Sequence, residues 1–227
     1  MAGRRRAHAD AVMLDQHPFA LLALLTLVSL LPLVAIATTS YLKISVVLVL
    51  VRNALGVQQA PTTLALNAIA LVATLFVMTP TLSACMDRAR AVTFSPTSGA
   101  SQIDAALSVV APLKQFVLRN GSEHERQRFV ALAQKTWPAS HRAASADDWS
   151  IAVPAFVVSE LQAAFEIGLL LFIPFVAIDV LVSNVLLAMG MQMVPPAIVA
   201  LPIKLMLFVV ADGWGRLLHA LVLSYHG

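Results

Sequence analysis

Long apolar runs alternate along the chain with one polar interval. Residues 16–42 hold no Asp, Glu, Lys or Arg over 27 positions, longer than the ~20 residues that cross the hydrocarbon of a bilayer. Lys43 and Arg52 bracket a short apolar stretch, and 53–86 is again uncharged for 34 residues. Between Asp87 and Asp148 the character changes, because this interval carries 14 of the 27 charged residues. Beyond it, 167–227 holds only Asp179, Lys204, Asp212 and Arg216. The pattern predicts an all-α integral membrane protein: an N-terminal tail (1–17), a first hydrophobic helical hairpin (18–80), a small helical polar insert (81–153) and a second hydrophobic hairpin (154–227).

Proline and glycine punctuate these runs. The first helix opens after His17-Pro18, and Pro32 inside it should kink it. Gln58–Pro61 reads as a turn. A second helix, about Thr62–Met78, is predicted to stop before Pro80. A third spans about Pro154–Met189, and a fourth starts after Pro195-Pro196 and continues to about Leu223. Gly190 and the two prolines make a helix-breaking tip between them. In the insert, Ser101/Asp104 and Ser122/Glu125 have capping-box spacing, Pro112 should bend the first insert helix, and Asn120-Gly121 and Trp137-Pro138 are stops.

Composition narrows the class. The chain is 59% hydrophobic and 12% charged, against about 25% charged in ordinary soluble domains. The single Cys85 excludes an intrachain disulfide. A formal charge of +3, scattered along the chain, gives no basic stripe for nucleic acid. The six histidines lack metal-ligand spacing, and Gly213-Trp214-Gly215 lacks the third glycine of a dinucleotide fingerprint. No catalytic residue, metal or cofactor is expected. Arg4, Arg5 and Arg6 precede an apolar run too long for a signal-peptide core, so a retained first helix is expected.

The embedded charges carry the next inference. Residues 197–223 contain 14 Ile, Leu, Val or Phe, worth roughly 4–8 kcal/mol of insertion energy. Lys204, Asp212 and Arg216 cost up to about 9 kcal/mol together near the bilayer centre. The two sums nearly cancel, so this segment should lie against protein with its charges paired or hydrated. Inter-helix or inter-subunit ion pairing is therefore expected for Lys43, Arg52, Glu160, Glu166, Asp179, Lys204, Asp212 and Arg216, and Asp212 and Arg216 are spaced to pair on one helix face. The functional alternative for Glu160, Glu166, Asp179, Lys204 and Asp212 is an ion relay, and the alternative function is an ion-coupled small-solute transporter using Glu166, Asp179 and Lys204. Met189, Met191 and Met193 alternate through the tip. They read either as adaptable core or as a deformable apolar seal.

Val49–Pro61, Leu75–Pro80, Pro154–Gly168, Phe172–Pro196 and Leu201–Trp214 together resemble the SctR/FliP family (YscR, HrcR) of type III secretion export apparatus proteins. The resemblance covers both hydrophobic halves. It implies a bacterial inner-membrane subunit that assembles as a homopentamer with SctS and SctT, alongside SctU and SctV, and passes unfolded secreted proteins. It also implies a pore constriction at Met189, Met191, Gln192 and Met193, where Gln192 departs from the all-methionine form of flagellar relatives. The family pattern puts both termini and the insert on the periplasmic side, whereas Arg4–Arg6 alone favour a cytoplasmic N-terminus.

Overall fold

Residues 18–57, 60–91, 99–138 and 144–225, which the computed structural model describes, form helices joined by short turns, with no strand among them. The helices are α1 (Pro18–Thr38), α2 (Tyr41–Leu55), α3 (Thr63–Ala91), α4 (Gly99–Asn120), α5 (Glu123–Thr136), α6 (Trp149–Ala188), α7 (Pro196–Val210) and α8 (Gly213–Leu223). The tail 1–17, Gln58-Gln59 and the Ser101 side chain lie outside the described residues. The chain divides into two units after Ile36. The first contains most of α1, which carries no formal charge, continues through Pro32 and leaves Leu25, Val28 and Leu31 exposed.

In the second unit the core is built around α2. Its Ile44, Val47, Leu48, Val51, Ala54 and Leu55 recur at helical spacing and are almost completely buried. Against them pack Leu66 and Ala70 of α3, Ala164 and Phe175 of α6, Phe208 of α7, and Leu217 and Leu221 of α8. Small residues on α6 let it come close to α2. Ala164 and Gly168, four apart on α6, are buried, and a Cβ at Gly168 would sit 2.3 Å from Leu50 Cδ1. This is the small-residue spacing that lets membrane helices pack closely. Gly168→Leu is expected to destabilise the fold by about 1–3 kcal/mol through overpacking, read as a lower unfolding midpoint in detergent.

α3 and α6 are long and apolar enough to cross a membrane, and up to four spans result if each of two broken helix pairs counts as one. The 40 residues of α6 extend about 60 Å, twice the ~30 Å of a hydrocarbon core. The α4–α5 hairpin is held to α6 by Val117, Ala152 and Phe156. Arg126 donates to the Leu118 and Gly121 carbonyls (2.7 and 3.0 Å), meeting acceptors left over at the end of α4. Ser122 starts α5 without a side-chain cap, and Glu125 bonds Arg128 instead (3.0 Å).

Three helix boundaries differ from the sequence reading. α3 continues through Pro80 to Ala91. Thr79 and Ser83 donate their hydroxyls to the Leu75 (2.7 Å) and Pro80 (2.8 Å) carbonyls on either side of the proline, and apolar helices tolerate proline more readily than water-exposed ones. α6 starts at Trp149, with Pro154 in its second turn. The final apolar segment is broken: α7 and α8 meet at a 59° bend, with Asp212 left-handed at φ 51°. Gly213 permits the bend, since a Cβ there would fall 2.3 Å from the Phe208 ring. Trp214 then packs edge-on against Phe208 at 5.2 Å.

Candidate functional site

A buried polar cluster, a half-buried one and an exposed tip stand out in this apolar framework. The first cluster joins α2, α6 and the residue just beyond α8. Lys43 Nζ lies 3.1 Å from Glu160 Oε1, both side chains being almost fully buried. Tyr225 donates its hydroxyl to Glu160 Oε2, and its ring centroid sits 3.8 Å from Lys43 Nζ. The ammonium thus meets a carboxylate and an aromatic face together. The phenol is the donor in this contact, because an ionised carboxylate can only accept. The Tyr225 ring also stacks on Phe116 of α4 at 5.8 Å, which ties the insert to the same cluster.

The second cluster lies at the C-terminal end of α2. Lys204 Nζ, on α7, is 2.6 Å from Asp179 Oδ2 on α6 and 3.4 Å from the Ala54 carbonyl. A cation there meets both a carboxylate and the negative end of the helix dipole. The Lys204 side chain is 7% exposed and that of Asp179 is 46% exposed, so the anion reaches a largely apolar groove that Asn53 also lines. Arg52 donates from Nη1 to Thr63 Oγ1 (3.1 Å) across the α2–α3 turn.

The tip connects α6 to α7. Gly190 is left-handed at φ 75°. Its N–H donates to the Leu187 carbonyl (3.0 Å) and that of Met191 to the Leu186 carbonyl (2.9 Å), the paired bonds of a Schellman motif. Pro195 then precedes α7, with Pro196 in its first turn, where a missing N–H and a fixed φ cost nothing. Both sides of the turn are therefore set by backbone geometry. The methionines point outward, with Met193 97% exposed and Met189 67% exposed, and Met191 and Gln192 are also exposed.

Of the eight charged residues singled out in the sequence, the fold brings together Lys43 with Glu160 and Asp179 with Lys204. Arg52 meets a hydroxyl rather than an anion. Glu166, Asp212 and Arg216 are exposed, and none is in an ion pair among the described residues. The Asp212–Arg216 pairing is corrected by the bend: Asp212 precedes α8, and Arg216 meets it only through a backbone N–H to carbonyl bond of 3.0 Å. Tyr225 was not singled out from sequence. It lies 65 residues from its acceptor Glu160, and a tyrosine just past an apolar run carries no periodic signal.

Relatives place these features in a family. The chain is 45% identical to the "virulence protein YscR" of Salmonella typhimurium, over 93% of this chain and 99% of the relative. It is 43% identical to the "Yop proteins translocation protein R" of Yersinia pestis, over 91% and 96% of the two chains. It is also 43% identical to the "harpin secretion protein HrcR" of Erwinia amylovora, over 93% and 97%. The FliP family model matches residues 24–221, which takes in both charge clusters' helices and the methionine tip. With that span and those identities, the chain belongs to the FliP family.

Proposed function

We propose that this chain is a non-enzymatic, pore-building subunit of a type III protein-export apparatus in the bacterial inner membrane. Five copies assemble with SctS-like and SctT-like companions, next to SctU-like and SctV-like components, and unfolded substrates pass along their shared axis. The observation that carries the reading is the tip. A turn fixed by a Schellman motif and a proline start presents Met191 and Met193 outward at the end of a 40-residue helix. Thioethers on a fixed loop supply an apolar, deformable rim, and a ring of such rims excludes water when no chain occupies it.

Two further observations support this reading. Most of the apolar surface of α3 and α6 is exposed in the single chain, and α6 exceeds the thickness of a bilayer, so part of it needs protein rather than lipid as its neighbour. The relatives' names speak of translocation and secretion. In this arrangement the buried pairs set helix positions within a copy, and the constriction lies at Met189, Met191, Gln192 and Met193. Native mass spectrometry of the complex, purified after co-expression with its companions, tests the proposal. Five copies with the smaller partners is the expected mass; a single copy without companions contradicts it.

A further inference from the structure

Glu166 and Arg216 are opposite charges on apolar helices, both exposed and both outside any ion pair among the described residues. Each costs up to about 3 kcal/mol when it faces hydrocarbon at the centre of a bilayer. Their surroundings are both apolar, one concave and the other an exposed helix face. Arg216 rims a cavity of about 410 Å³ whose walls include Ile167, Leu171, Pro174, Leu207 and Leu217. That cavity is an apolar socket with a cation at its edge.

Glu166 lies on a ridge with the matching character. It projects from α6 beside Phe165 and Leu169, which are 58% and 65% exposed; at about 100° per residue the carboxylate lies at the edge of this apolar knob, next to Leu169. Ile167, Leu171 and Pro174, which wall the socket, form a line of α6 turned about 100° from Glu166. The ridge therefore does not fill the socket of its own chain.

From this complementarity we infer that the Arg216-rimmed socket of one copy receives the Phe165–Glu166–Leu169 ridge of the next, with Glu166 and Arg216 paired across the boundary. A second copy is the fitting occupant because one chain carries both halves of the contact. A head-to-tail contact then gives every interior copy a partner for both charges, and such contacts propagate into rings or helices. A lipid whose tail fills the socket offers at most a phosphate to Arg216 and leaves Glu166 unmatched. The inference rests on the multi-copy reading above and assigns that reading a specific interface.

The test uses the co-expressed complex in a Cys85→Ser background. Two differently tagged copies carry Glu166→Cys and Arg216→Cys, and oxidation is expected to join the two tags in one disulfide-linked species. Charge reversal gives the second arm. Glu166→Arg or Arg216→Glu alone is expected to lower recovered assembly about tenfold, and both in one chain to restore it to within about threefold of the unaltered protein. Absence of the mixed disulfide, together with a double variant no better than the worse single one, overturns the inference. Single reversals that assemble normally also overturn it, and leave the multi-copy reading standing. If the unaltered chain is itself recovered as a monomer, both fail.

Discussion

Replacing Lys43 by methionine is expected to lower stability by about 3–5 kcal/mol, the usual cost of removing one partner from a buried ion pair. The cause is what remains. Glu160 would keep its hydrogen bond from Tyr225 but lose the one cation paired with it among the described residues, in a site where its side chain is 3% exposed. Tyr225→Phe removes one hydrogen bond to a charged acceptor and keeps the ring over Lys43, so about 1.5–3 kcal/mol is expected there. A paired change, Lys43→Met with Glu160→Leu, removes both charges and should recover most of the loss, since apolar replacement of a whole buried pair is often neutral. Unfolding midpoints of the purified complex in one detergent check all three. A Lys43→Met variant as stable as the unaltered protein would mean that Glu160 finds its compensation elsewhere.

The same cluster shows where sequence reasoning reaches and where it stops. Charge-free runs placed the apolar helices, because burial of backbone in lipid demands them, and Gly190 with Pro195-Pro196 located the break before α7. Proline was over-weighted at Pro80 and Pro154. Its penalty in water-exposed helices does not transfer whole to apolar ones, and Pro154 lies only in the second turn of α6, close to the helix start where few N–H bonds are lost. Lys43 and Arg52 read as markers bracketing a short stretch, yet that stretch is α2, the most buried helix of its unit. Which charge meets which depends on contacts 117 residues apart for Lys43–Glu160 and 25 apart for Lys204–Asp179, and helical spacing contains no such information. Spacing also suggested Asp212–Arg216, and a left-handed Asp212 cancels it.

The second large effect concerns the tip. Changing Met191 and Met193 together to serine leaves Gly190, the prolines and the Schellman bonds in place, so folding and assembly are expected to survive. Both side chains are exposed, and little core packing is lost. What changes is the rim. Thioethers repel water from a narrow passage, whereas hydroxyls and the neighbouring Gln192 hydrogen-bond to it, and a wetted constriction conducts ions. Resting conductance is expected to rise by at least about tenfold, the equivalent of ~1.4 kcal/mol removed from the barrier. The decisive measurement is the ionic conductance, in planar bilayers, of the complex carrying Met191→Ser and Met193→Ser beside the unaltered complex at equal assembly. A closed unaltered complex and a leaking variant are predicted; two complexes that assemble fully and conduct alike would contradict the account.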